Sequence, residues 1–312
     1  MIPDFRSRAK GAVIVGAKKA GSSFVWVCKI IIPASLLVTL LQWTGWLNYL
    51  DFLFNPLMSL LNLPPEAALP IISGMLISGY ASLAIIAALP FTIGQMTLIA
   101  IFTLIAHEFI TEGAVQHKSG FNAIKATLVR LSVAILTVLI VSLFFGDTST
   151  SVAVPASLSV PAPFLETLSR WAIDLIYLLL KIGGIILAIM ILQEFLRSAG
   201  WFDYIIRFFR PLIRIMGLSE RTTMMWLVAN TFGLFYGGAV IVEEARKGIL
   251  TREEMEHLHI SIGINHAVIE DPLLFSLLGL NYFWLLLPRL IMAIVVVWSY
   301  RALKYLRRRL LG

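Results

Sequence analysis

The sequence predicts an all-α, polytopic membrane protein made of two inverted-topology repeats, each with a broken, re-entrant helical hairpin. Three observations lead there. First, 59% of the 312 residues are hydrophobic and only 14% are charged, an apolar share too large for a soluble domain of this size to bury. Second, the apolar residues collect in eight runs, near 24–47, 67–90, 91–112, 121–145, 166–196, 221–243, 257–280 and 281–303. Each run approaches the roughly 20 residues that cross a bilayer as a helix. Third, the runs fall four and four about a Pro- and Ser-rich stretch, GDTSTSVAVPASLSVPAPF (146–164), and the two sets match one another.

The match is specific. Gly45, Trp46, Tyr49, Pro56, Leu57 and Leu63 recur 155 positions later as Gly200, Trp201, Tyr204, Pro211, Leu212 and Leu218. Further on the spacing becomes 159. There His107, Gly120, Asn122 and Arg130 recur as His266, Gly279, Asn281 and Arg289, with six apolar coincidences in the same register. The four extra residues belong in the polar loop EEARKGILTREEMEH (243–257).

In chain order, residues 1–23 read as a basic cytoplasmic tail or amphipathic helix, with no short apolar core of a removable signal. Residues 24–145 form the first repeat, 146–165 an extracytoplasmic linker, 166–303 the second, inverted repeat, and 304–312 a basic cytoplasmic tail. Charge sets the orientation. The stretch NYLDFLFNPLMSLLNLPPEAA has no Lys or Arg, whereas its equivalent RSAGWFDYIIRFFRPLIRIMGLSER carries Arg197, Arg207, Arg210, Arg214 and Arg221. Positive loops stay in the cytoplasm, so the two equivalents fall on opposite sides. Both termini are expected inside, in a prokaryotic cytoplasmic membrane.

Inversion needs an odd number of crossings per copy, so one run of each four must return to its own side. The runs 67–90 and 221–243 are interrupted by Gly74, Ser78, Gly79 and Ser82, and by Asn230, Gly233, Gly237 and Gly238. Unpaired backbone at depth is tolerated only where protein or a water-filled cavity receives it. Broken segments in matching positions mark the binding site of secondary transporters. Glycines there also serve close helix packing.

The polar residues sit in the next runs. LIAHEFITEGAVQ (104–116) holds His107, Glu108 and Glu112, and ISIGINHAVIEDPLLFSLLG (260–279) holds Asn265, His266, Glu270 and Asp271. An ionisable group at such depth costs at least ~2.5–3.5 kcal/mol and should face the interior with a partner. Read as continuous helix, Glu108 with Glu112, and His266 with Glu270, share faces four residues apart. Arg130 then falls level with Glu112, and Arg289 with Asp271 or Glu270, as structural ion pairs. His107, Glu108, His266 and Glu270 are left for a proton relay, for contact with a polar solute or, in the alternative reading, for ligation of a divalent metal. Glu112 and Asp271, besides their possible pairing with the arginines, join Ser78, Gly79, Gly233, Asn230 and Asn265 to complete the candidate solute or ion site. His257 and His259 fall at a loop edge and read as interfacial.

Several chemistries drop out. The single cysteine, Cys28, excludes a disulfide framework. HEFIT lacks the second His of a zinc-protease helix, and GAKKAGSS (16–23) lacks the Lys before a hydroxyl residue of a phosphate loop. No nucleophile–base set is present, so no enzyme is expected. The net charge of +7 lies in the tails and the Arg-rich stretch, which marks cytoplasmic loops and not a nucleic-acid surface. No resident cofactor is expected; the bound species open to these residues are a divalent cation or a coupling proton. The expected partners are the lipid bilayer and a small polar solute or cation, with a homo-oligomer left open. A non-transporting membrane scaffold, its buried charges only locking the packing, is the rival from another class.

The interrupted segments ISGMLISGYAS and LVANTFGLFYGG resemble the nucleoside-recognition, or Gate, domain family. The resemblance covers nearly the whole chain, once per half. It implies relation to the membrane parts of concentrative nucleoside transporters and bacterial ferrous-iron transporters, and to spore-maturation membrane proteins. It also implies a transport-type fold and leaves the cargo open. The function expected of the whole chain is a secondary transporter that moves a small polar solute, nucleoside-like or other, by alternating access, with a divalent-cation permease as the alternative.

Overall fold

A 39-residue helix, α1 (Phe5–Trp43), begins the chain and takes residues 5–23 and the first apolar run into one rod. The structure, a computed structural model, describes residues 5–150, 163–248 and 250–311; residues 151–162 of the expected linker lie outside the described residues. The same order of elements then occurs twice. After α1 come α2 (Leu47–Leu60), a 3-10 turn (Pro65–Ala67), α3 (Ala68–Leu76), α4 (Gly79–Ala88), α5 (Ile93–Ile105), α6 (Phe109–Lys118) and α7 (Ala123–Ser142). After α8 (Phe164–Ser198) come α9 (Phe202–Ile215), a 3-10 turn (Glu220–Thr222), α10 (Thr223–Arg246), α11 (Arg252–Ile264), α12 (Glu270–Ser276) and α13 (Tyr282–Leu311). There is no strand among the described residues, and five helical segments are long and apolar enough to cross a membrane. The chain is an all-α, multi-pass integral membrane protein.

Helices α1 and α8 lie antiparallel along their length. Gly16 is pressed so close to Ile191 that an added Cβ would stand 2.7 Å from its Cα. Gly183 likewise faces the Phe24 ring, Trp171 Nε1 donates to Ser35 Oγ at 3.1 Å, and the Trp43 and Phe164 rings meet edge to face. Small residues permit this approach, as dispersion is the main attraction between helices in lipid. Outward-facing Ile14, Val25, Leu37, Ile176, Leu180 and Leu192 are exposed, a surface for acyl chains.

Each half contains a hairpin made by one broken helix. Ser78 is extended between α3 and α4, and its Oγ caps α4 by accepting from Ala81 N. In α10 the break is Gly233, at φ 68° and ψ 177°, a region open essentially only to glycine. The chain doubles back at both places. An added Cβ on Gly74 would lie 3.3 Å from Ser82 Cβ, and one on Gly237 would lie 3.0 Å from Ala229 Cα. Residues eight apart along a straight helix stand roughly 12 Å apart.

The next elements depart from the continuous helices expected of runs 91–112 and 257–280. Both begin with a capping box, Thr92 with Gln95 in α5 and Thr251 with Glu254 in α11. Both also stop at the histidine, where Glu108 (φ 49°) and Ala267 (φ 46°) take the left-handed conformation. That conformation costs a side chain roughly 1–2 kcal/mol. Part of the cost is offset because Glu108 N donates to Gly74 O at 3.0 Å and Ala267 N to Ala229 O at 3.2 Å. The hairpins thus hold the breaks open. His257 and His259, at the loop edge, are both buried within the protein, where the His259 ring stacks on Phe121 and its Nε2 lies 2.8 Å from Ser119 Oγ.

Candidate functional site

Where α5 and α11 end, their last carbonyls lose their helical partners and must find others. Two buried arginines supply them. Arg130 donates from Nε to Ile105 O (2.9 Å) and from Nη2 to His107 O (2.6 Å). Arg289 donates from Nε to Ile264 O (3.5 Å) and from Nη2 to His266 O (2.9 Å). A cation at a helix C-terminus also meets the negative end of the helix dipole. Arg130 and Arg289 are therefore part of the backbone architecture of the breaks.

With the ends fixed, the two histidines point at one another. His107 Nδ1 lies 3.0 Å from Thr103 O and His266 Nδ1 2.8 Å from Ile262 O. A carbonyl only accepts, so each Nδ1 carries a hydrogen, and a ring that is neutral presents a lone pair at Nε2. Those two Nε2 atoms are 3.1 Å apart. Glu112 Oε1 stands 3.3 Å from one and 3.2 Å from the other. Glu112 Oε2 is held by Arg130 Nη1 at 2.7 Å, and Asp271 Oδ2 is 3.8 Å from His107 Nε2. With both rings neutral, three acceptor atoms converge on one point, an arrangement that calls for a proton or a cation between them.

The cluster forms one wall of a cavity of about 310 Å³. Ser22, Ser23 and Trp26 of α1 and Met190 of α8 also line it. Tyr80 of α4 and Gly233 of α10 bring both hairpins to its edge. Glu108, Glu112, Glu270 and Asp271 all line it, and no Lys or Arg does among the described residues. Tyr80 Oη donates to Glu270 Oε1 at 2.7 Å. Behind the cluster, a smaller recess of about 30 Å³ reaches Gly79 and Thr103.

Not every residue singled out from the sequence meets here. His107, His266, Glu108, Glu112, Glu270, Asp271 and Gly233 line the cavity, and Gly79 lines the recess. Ser78 is wholly buried as a helix cap. Asn230 is also buried, its Nδ2 bonded to Trp226 O, and Asn265 is buried at the end of α11; neither is in the lining. The carboxylates nearest the histidines are Glu112 and Asp271, not the Glu108 and Glu270 expected as co-ligands. Reasoning by four-residue helical spacing misplaces them because the helix breaks immediately after each histidine. A usable signal was present: Glu112 and Asp271 each follow a histidine by five residues and share the 159-residue spacing. The expected pair of Arg289 with Asp271 or Glu270 is absent, since neither carboxylate comes within ion-pair distance while the guanidinium is turned to the backbone. Ser22, Ser23, Trp26 and Tyr80 were not foreseen; nothing in their local sequence separates them from ordinary helix residues.

Broken helices from both halves of the chain, closing on a buried acidic chamber, define a multi-pass membrane protein with an internal polar site. The family model described as Gate, nucleoside recognition, matches residues 24–145 and 179–280, and the chain belongs to that family. It is also 28% identical over 288 residues, covering 91% of this chain and 92% of the relative, to a protein of Bacillus subtilis (strain 168) described as the uncharacterized membrane protein YvoD. No solved structure matches the chain.

Proposed function

We propose that the protein is a secondary transporter that carries a small polar solute through the acidic chamber by alternating access. The observation that carries this reading is the chamber itself, where both hairpins and both broken helices converge on two histidines and four carboxylates. Such groups are costly in a membrane protein and are characteristic of solute and ion pathways. With carboxylates and, among the described residues, no lysine or arginine in the lining, the cargo is donor-rich or positively charged. A nucleoside, which the family description suggests, offers hydroxyl and amino donors to these oxygens, and Trp26 and Tyr80 offer aromatic faces.

Alternating access accords with the repeat read in the sequence. Two units of opposite orientation can rock about a shared site and expose it to either side in turn. The antiparallel course of α1 and α8, which hold corresponding places in the two halves, supports that arrangement. Support also comes from the equivalent arginine contacts at the ends of α5 and α11.

The test is uptake into vesicles reconstituted with the purified protein, using nucleosides, amino acids, polyamines and divalent metals in turn. At least one should accumulate faster than in empty vesicles, and Glu108→Gln with Glu270→Gln should slow that uptake. Vesicles that pass no member of the panel would overturn the reading in favour of a membrane scaffold.

A further inference from the structure

We infer that His107, His266 and Glu112 form a three-point site for a divalent transition-metal ion, with Asp271 as a fourth ligand from the chamber side. The inference names the class of cation that the proposed chamber takes, and rests on the transport reading only for the ion's passage. Its ground is the shape of the cluster. His107 Nε2, His266 Nε2 and Glu112 Oε1 make a nearly equilateral triangle with sides of 3.1, 3.2 and 3.3 Å. Ligand atoms roughly 2.0–2.1 Å from a tetrahedral ion stand roughly 3.3–3.4 Å apart, so the triangle is close to one face of a coordination tetrahedron.

The surroundings agree with this assignment. Metal-binding histidines commonly donate their second ring N–H to a carbonyl or carboxylate, which fixes the tautomer and aims the lone pair. Both histidines do so here, to Thr103 O and Ile262 O. The remaining oxygen of Glu112 is held by Arg130, which leaves Oε1 aimed at the histidines. One ligand atom each from His107, His266 and Asp271 lie within 4.8 Å of one another, which places the Asp271 carboxylate next to the triangle as the candidate fourth ligand. A bridging proton could relieve only one edge of the triangle, whereas a metal ion satisfies all three atoms at once. Two imidazoles with carboxylates suit zinc, iron(II), cobalt(II) or manganese(II) better than calcium or magnesium, which prefer all-oxygen shells.

The test is cobalt(II) titration of the purified, metal-stripped full-length protein in detergent, monitored by visible ligand-field absorption. Expected are bands of tetrahedral intensity that saturate at one equivalent and are erased by zinc but not by magnesium. His266→Gln and Glu112→Gln should each weaken binding at least about tenfold. Absence of saturable absorption in the wild-type protein overturns the site. So does displacement by magnesium as readily as by zinc, an outcome that needs no variant to fold. A protein that binds no cobalt yet carries a nucleoside into vesicles overturns this inference while leaving transport intact. One that binds cobalt as expected but passes no solute supports the site and overturns transport.

Discussion

Arg130 Nη1 stands 2.7 Å from Glu112 Oε2, both side chains almost wholly buried, whereas Arg289 Nη1 at the corresponding place has no hydrogen-bond partner among the described residues. Two arginines with the same backbone duty therefore carry unequal loads. Arg130→Met leaves a buried carboxylate without its countercharge, at about 3–5 kcal/mol. Arg289→Met orphans the Ile264 and His266 carbonyls, at about 1–3 kcal/mol each, a loss that Arg130→Met shares at Ile105 and His107 in addition to the stranded carboxylate. Thermal melts in detergent should rank Arg130→Met well below Arg289→Met, with Glu112→Gln restoring part of the loss in the double variant. Equal losses would show that the Glu112 contact adds nothing to the shared capping role.

The two hairpins offer a second comparison. Gly233 needs its conformation, because φ 68° with ψ 177° is strained for any residue with a Cβ. An alanine there meets nothing closer than 3.9 Å, so the cost of Gly233→Ala is backbone strain alone, about 1–3 kcal/mol. Gly79 has helical geometry and open space around it. Gly79→Ala should then be neutral or slightly stabilising. Melts that show Gly79→Ala to be the more damaging would mean that the Gly233 break is not where α10 turns back.

How far the sequence could lead is set by which physical rule was local. Apolar runs, capping residues and small-residue interruptions act over a few positions. For that reason the helices, the break near Ser78 and the break at Gly233 were legible. The importance of His107 and His266 was legible too, since a buried imidazole at matching places in two halves has few bland explanations. The breaks after them were not. Glu108 and Ala267 are ordinary helix formers, and their left-handed conformations are imposed by carbonyls of Gly74 and Ala229 more than thirty residues away in the chain. Once those bends were missed, four-residue spacing put Glu108 and Glu270 where Glu112 and Asp271 belong. The face contributed by α1 and α8 was illegible for a related reason: Ser22, Ser23 and Trp26 become part of a site only through tertiary packing.

Tyr80 and Glu270 come from different halves, and their 2.7 Å hydrogen bond ties the first hairpin to α12 across the chamber. A buried hydrogen bond contributes about 0.5–1.5 kcal/mol, rising to about 3 kcal/mol where the acceptor is charged. Tyr80→Phe and Glu270→Gln should each lower stability by no more than that and change the apparent solute affinity several-fold. If the bond is what matters, the double variant loses less than the sum of the two, with a coupling above roughly 0.5 kcal/mol. Strict additivity in both melts and uptake would dissociate the two residues.

At the far end of α13, the C-terminal helix is fastened to the first turn of α11 ahead of the apolar run 257–280. Arg308 Nη2 donates to Glu253 Oε2 at 2.8 Å, and Lys304 Nζ and Tyr300 Oη donate to Glu256 Oε2 at 2.9 and 2.8 Å. The hydrogen bond from Arg308 leads in lowering the pKa of Glu253. Burial pushes the Glu256 carboxyl up, but the bonds from Lys304 and Tyr300 and the nearby lysine charges outweigh it, so its pKa is lowered as well. A carboxylate whose folded pKa is depressed binds fewer protons folded than unfolded, and its contribution to stability is complete above the ordinary value. Here that contribution should persist above pH 4.5 and drain away as pH falls through the lower folded values. The melting-temperature gap between wild type and the double variant Glu253→Gln, Glu256→Gln should accordingly be flat from about pH 7 to about pH 5 and close below that. It should also narrow in high salt, because Arg308 is largely exposed and such pairs are screened. A gap that is the same at about pH 3 as at about pH 7 would mean that these carboxylates hold α13 by shape and not by charge.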